Sequence, residues 1–232
     1  SLVGVRLSRG ATDNIVGGPG LAGNLISSNG YGVLLDLAAN GNYVVGNFIG
    51  TDISGTAPLG NVDGVFIVGA PNNYVGGTLP GSSEVLGNLI SGSIGNFAAG
   101  TFAAGVLIGG PGANGNLVQG NRIGTNYNGT IAIPNAGDGV TINRASDNII
   151  GGLLAEQRNL ISGNNGDGIA ISGGPDVPAN SNLVLGNYIG TDETGMAALQ
   201  NRFRGVHIDQ HSTFNIVGGT TESERNIISG NR

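Results

Sequence analysis

Apolar residues in this chain recur at alternate positions in runs only four or five residues long, and Gly or Asn closes nearly every run. A period of two marks a strand with one buried face. In Gly139-Val-Thr-Ile-Asn, Val140 and Ile142 point to one side, Thr141 and Asn143 to the other. The runs also return as whole phrases. Gly-Val-x-Ile-type runs begin at Gly4, Gly32, Gly64, Gly105, Gly139, Gly168 and Gly205. Asn14-Ile-Val-Gly-Gly returns as Asn73-Tyr-Val-Gly-Gly, Asn148-Ile-Ile-Gly-Gly and Asn215-Ile-Val-Gly-Gly. Asn24-Leu-Ile-Ser returns at Asn88, Asn159 and, as Asn-Ile-Ile-Ser, at Asn226. Gly46-Asn-Phe-Ile-Gly-Thr returns with one change at Gly120 and Gly186.

These phrases nest. Each Gly-Val-x-Ile run is followed by two Asn-headed runs, giving three strands to a coil and seven coils. Coils alternate in type, so the sequence unit is a coil pair of roughly 66 residues, and even coils end in Ile-Gly-Thr and carry an extra loop (51–62, 125–137, 191–204). A strand this short buries nothing alone; stacking coil on coil buries its face and pairs its backbone with the rungs above and below. The pattern predicts an all-β, right-handed parallel β-helix, one solenoid over residues 1–232, with rungs about 4.8 Å apart. A β-propeller needs hairpins between strands, and no hairpin signal is present.

Gly makes up 46 of the 232 residues and Asn 29. Gly supplies the positive φ of tight turns, and Asn tolerates it while its amide both donates and accepts. Equivalent Asn residues in successive coils are therefore expected to form a hydrogen-bonded ladder. With only 10% charged and 39% hydrophobic residues, the chain is not a disordered one. The net charge of −6 argues against nucleic acid and anionic membranes as partners. No apolar run approaches the ~20 residues of a membrane span. Cysteine is absent, which removes disulfide and thiolate chemistry. The last phrase stops at Ser229-Gly-Asn-Arg232, where another Gly-Ile-x-Ile strand is expected, and neither end shows an amphipathic cap. The pattern thus reads as a segment of a longer array, or as a rod whose uncapped ends are covered by another copy.

The phrase Asn182-Leu-Val-Leu-Gly-Asn-Tyr-Ile-Gly-Thr-Asp-Glu-Thr-Gly resembles the parallel β-helix repeats of large bacterial secreted and surface proteins, of the pectate-lyase-like fold. The resemblance covers essentially the whole chain. It implies an extracellular or cell-surface location. Such repeats accompany polysaccharide lyases, epimerases and hydrolases, and also non-catalytic surface proteins. The Asp-Pro-His motif of the alginate epimerases does not occur here.

In β-helix enzymes the outer side of the Gly-Val-x-Ile sheet often carries the substrate groove. One outward column there reads Arg6, Leu34, Phe66, Leu107, Thr141, Ala170, His207, and the next Ser8, Asp36, Val68, Gly109, Asn143, Ser172, Asp209. Asp36 and Asp209 are five rungs or about 24 Å apart, too far for an acid/base pair. The polar last coil holds Arg204, His207, Asp209 and His211, and the last three form a candidate row for metal binding or proton transfer if the strand continues that far. Asp138 and Asp167, before the strand glycines of adjacent coils, are candidate Ca2+ ligands, with repeated turn formation as the plainer explanation. Asp52, Asn126 and Asp192 repeat in the extra loops and read as turn formers. The apolar stripe Leu34, Phe66, Val68 and Leu107 is the candidate binding surface, with Tyr43, Tyr74, Leu117, Leu183 and Leu185 outward on the Asn-headed strands. Leu59, Ile131, Ile133 and Leu199 of the loops are placed to cover part of it. Taken together the sequence predicts a non-catalytic module meeting polysaccharide or protein through a lateral face. A polysaccharide lyase or hydrolase at the last coil and a self-associating rod are the alternatives.

Overall fold

The computed structural model describes residues 2–95 and 102–232. Three parallel sheets of seven strands each wind about one axis. The first sheet stacks Val3–Leu7, Tyr31–Asp36, Asp63–Val68, Val106–Gly109, Val140–Asn143, Ile169–Ser172 and Val206–Asp209. The second stacks Ile15–Gly17, Tyr43–Val45, Tyr74–Gly76, Leu117–Gln119, Ile149–Gly151, Leu183–Leu185 and Ile216–Val217. The third stacks Leu25–Ile26, Phe48–Ile49, Leu89–Ile90, Arg122–Ile123, Leu160–Ile161, Tyr188–Ile189 and Ile227–Ile228. This is a right-handed parallel β-helix of seven three-strand coils, with the coil starts the phrases predict.

Like stacks on like along the axis. The inward column of the third sheet is Ile26, Ile49, Ile90, Ile123, Ile161, Ile189 and Ile228. The buried core contains only Val, Ile, Leu and Ala among the described residues. Branched aliphatic side chains are stiff and fit a pleated face, so one rotamer repeats from rung to rung. The Gly that heads each first-sheet strand is a packing requirement. A Cβ at Gly139 would lie 2.5 Å from Ile161 Cγ2 and 2.7 Å from the Gly168 carbonyl.

Asn forms three ladders, one at each corner. The corner before the second sheet holds Asn14, Asn42, Asn73, Asn116, Asn148, Asn182 and Asn215, each donating from its backbone N–H and side-chain amide to the Oδ1 of the next. The corner before the third sheet repeats this from Asn24 through Asn47, Asn88, Asn121, Asn159 and Asn187 to Asn226. The third ladder runs from Asn29 to Asn231 with Ser93 in the third coil's place, where its N–H donates to Asn135. Turn backbone that a solenoid buries is satisfied this way.

Inserts occupy two different corners. The even-coil loops lie between the third and first sheets and close through antiparallel bridges Thr51–Pro58, Thr125–Ala132 and Thr191–Ala198. Inside them Asp52, Asn126 and Asp192 accept backbone N–H groups four and five residues ahead, as turn formers do. The Ser54 hydroxyl and the Ala57 and Thr56 amides hold the Asp52 carboxyl down at about 2. Loops two coils apart touch directly: Tyr127 N–H donates to Gly55 O at 2.9 Å and Glu193 N–H to Gly129 O at 3.1 Å. One loop therefore fills two rungs, about 9.6 Å. The odd coils carry inserts too, contrary to the expectation of loops on even coils alone. These leave the second sheet at the doubled glycines, with short turns at Gly20–Ala22 and Ala155–Gln157.

In the last coil the inward Ile208, Val217 and Ile228 are 38%, 42% and 44% exposed. No helix among the described residues is long and apolar enough to cross a membrane.

Candidate functional site

The sequence places Asp138 and Asp167 in one candidate and Arg204, His207 and Asp209 in another; the structure joins them. Asp138 Oδ1 accepts the Asp167 N–H at 2.8 Å, and Asp167 Oδ1 accepts the Arg204 N–H at 2.7 Å. Asp63 does the same to the Ala104 N–H. These carboxylates reach the next coil instead of closing a turn in their own. Asp167 Oδ2 lies 3.1 Å from His207 Nδ1 and 3.7 Å from the Arg204 guanidinium. The ring reaches it because the residue beside His207 in the column is the small Ala170. The other ring nitrogen, Nε2, is 3.5 Å from Asp209 Oδ2. In the tautomer whose Nδ1–H donates to Asp167, Nε2 is the nitrogen facing Asp209. The preceding coil thus completes the cluster through Asp167, which the column alignment alone does not show. His211 is not in the row: the strand ends at Asp209, and Gln210 and His211 turn into the left-handed region at φ 41° and 53°.

Asp138 and Asp167, the two candidate Ca2+ ligands, already hold protein donors. Both oxygens of Asp138 already accept, from Asp167 N–H and the Thr141 hydroxyl, and those of Asp167 face N–H donors and a guanidinium. No group of three or more His, Asp or Glu placed to hold a metal occurs among the described residues. Burial raises the Asp138 pKa, and the charge of Asp167 adds to the effect. A carboxyl raised in the folded state penalises folding above that raised value, and the penalty disappears as pH falls through the ordinary value near 4. Asp138→Asn keeps an acceptor for the Asp167 N–H without the charge. It is expected to be at least as stable at pH 7, with a flatter dependence of the urea midpoint on pH above about 4. A variant clearly less stable at pH 7 would mean the charge is favourable.

The apolar stripe on the first sheet is smaller than the sequence suggests. Leu34 and Leu107 flank Phe66 in the column and are only 7% and 3% exposed. Phe66 and Val68 are half-buried, and the Phe66 ring rests on Tyr31 with centroids 5.4 Å apart. Large neighbours on a 4.8 Å rung spacing shield one another. The loops cover the third sheet, not this one: a Cβ on Gly55 would meet Leu89 and Phe48, and one on Gly129 would meet Leu160. Ile133 is buried there while Leu59 and Ile131 stay exposed.

The continuous apolar surface is on the second sheet. Ile15, Tyr43, Tyr74, Leu117, Ile149, Leu183 and Ile216 align in one outward column, the five central ones half-buried and the ends 53% and 52% exposed. Leu185, expected on this face, is buried at the corner instead. Tyr43 and Tyr74 stack at 4.4 Å and 4°, and burial followed by the Tyr74 contact raises the Tyr43 hydroxyl pKa. Ile149 and the two end residues have the same place in their phrases, so register at the Asn heads identifies them.

Among the described residues, fold and faces together define a parallel β-helix with one open apolar column and one Asp–His–Asp cluster. No protein-family model matches the chain, and no curated protein does. Among solved structures the fold is similar to the crystal structure of a point mutant of the periplasmic alginate epimerase AlgG. The TM-score is 0.56 at 15% identity over 90% of this chain, which spans 35% of that one.

Proposed function

We propose that this chain is a non-catalytic β-helix module, working outside the cytoplasm, that presents a rigid lateral face to a carbohydrate or protein partner. The observation that carries it is the unbroken apolar column of the second sheet, since a contiguous apolar surface on such a scaffold marks a contact site. The pairing of Tyr43 with Tyr74 favours protein within this reading. A sugar stacks on the face of an aromatic ring, and here the facing sides are used by each other, leaving edges and aliphatic groups outward. The periplasmic alginate epimerase neighbour supports the location and puts alginate first among the polysaccharides to be tried. Affinity electrophoresis in alginate and neutral-glycan gels, with sedimentation for self-association, tests it. Retardation or assembly is expected without product release, and Leu117→Asp with Ile149→Asp is expected to abolish it. Retention unchanged in that variant would sink the reading.

The Asp167–His207 contact favours a second reading, a polysaccharide lyase or hydrolase with His207 Nε2 exchanging a proton and Arg204 and Asp209 beside it. Positioned proton transfer contributes about 10²–10⁴-fold. Wild-type protein should then release unsaturated or reducing ends from a polyuronate, and His207→Ala should lose at least about a hundredfold in rate. Absence of product from wild type across the panel would dismiss this reading.

A further inference from the structure

Between the two sets of inserts, the outer side of the third sheet holds a pocket of about 250 Å3. Its floor is three successive outward residues, Arg122, Leu160 and Tyr188. One wall is the Ala155–Gln157 turn with Arg158, and the other is Glu193 of the sixth-coil loop. Arg122 pairs with Glu193 through one terminal nitrogen. Its Nε is buried without a partner, the one such side-chain atom among the described residues. A buried donor left unmade costs about 1–3 kcal/mol, and the Arg122 guanidinium also sits 5.9 Å from the Tyr127 ring centroid. Arg158 sits over Tyr188, its guanidinium carbon 4.1 Å from the ring centroid, and its Nε donates to Gly186 O at 3.0 Å. That fixes the guanidinium and leaves its two terminal nitrogens as donors, with no carboxylate in ion-pair range among the described residues. Glu156, on the rim, is exposed and pairs with neither arginine among the described residues.

We propose that this pocket binds an oxyanion: a carboxylate, sulfate or phosphate group carried by a ligand. The fixed fork of Arg158 suits two oxygens at once, and the Tyr188 ring with the Gly186 carbonyl holds it in place before the ligand arrives. Arg122, paired with Glu193, forms part of the pocket floor from the neighbouring coil. The pocket is smaller than the ~300–1,000 Å3 of sites that enclose a whole ligand, so it receives one charged substituent. It lies on a different sheet from the apolar column and from His207, and it stands whether or not the functional reading above holds.

Titration of the whole chain with glucuronate, glucose 6-sulfate and glucose 6-phosphate, at constant ionic strength and against glucose, tests the site. The arginine Nε–H resonances are the readout. At least one anionic probe is expected to shift the Arg158 signal saturably while glucose does not, and the strongest of the three identifies the oxyanion. Arg158→Gln should weaken that probe at least tenfold, Arg158→Lys should weaken it less, and Glu156→Gln should tighten it severalfold. The melting temperature of each variant separates loss of binding from loss of fold. Equal response to glucose, no response to any anion, or full binding by a folded Arg158→Gln variant overturns the proposal.

Discussion

Replacing Asn121 with Leu should lower the stability of the helix by about 4 kcal/mol, read as a shift in the urea midpoint. Asn121 is 1% exposed and sits in the middle of its ladder. Its Oδ1 accepts both the backbone and side-chain N–H groups of Asn88. Its side-chain amide donates to Val75 O, Gln119 O and Asn159 Oδ1. Leu is similar in size and satisfies none of them. The buried donors of Asn88 and the carbonyls around the corner would then lack partners, at about 1–3 kcal/mol per orphaned group. Asn165, exposed, is engaged through its backbone N–H, so Asn165→Ala should change stability by less than about 0.5 kcal/mol. Similar losses for both variants would show that the ladder contributes no more than ordinary surface turns.

Gly151→Ala should be as damaging, with a loss of at least about 3 kcal/mol or failure to accumulate as folded protein. Gly151 has φ +87°, and its added Cβ would come 1.9 Å from the carbonyl oxygen of Leu185, its partner in the next coil. Neither atom can yield, since both belong to backbone on a fixed rung spacing. Gly10 separates the two causes. It has φ +73° with nothing within 4 Å of the added Cβ, so Gly10→Ala should register only the left-handed strain of about 1–2 kcal/mol. Comparable midpoints for the two variants would mean that φ alone, not the stacking distance, demands glycine at residue 151.

The coil architecture was legible because each phrase carries its own reason. Val140 and Ile142 alternate because one face is buried, and Gly139 precedes them because Ile161 and the next coil occupy its side-chain space. Asn159 heads its strand because a buried corner needs an amide that donates and accepts. Every coil meets the same neighbours, so local sequence and long-range contact are one pattern, and reading the first reveals the second. The candidate sites were less legible for the same reason. Asp167 looks like one more repeated turn residue, and only its reach across to His207 distinguishes it from Asp63.

By itself the sequence determined the class of fold, the number of coils, the inward columns and the existence of Asn ladders, because these depend on period and residue type. Tertiary structure decided which outward residues are open. Leu34 and Leu107 look as exposed as Leu117 and Ile149 in any alternation rule, yet bulky column neighbours bury the first pair and the second pair stays half-open. It also decided that loops two coils apart touch and roof the third sheet, that odd coils carry inserts at a second corner, and that Arg122 and Arg158 line one pocket between them. Those outcomes depend on the height and direction of loops relative to a 4.8 Å rung, and alternation along a strand contains no information about either.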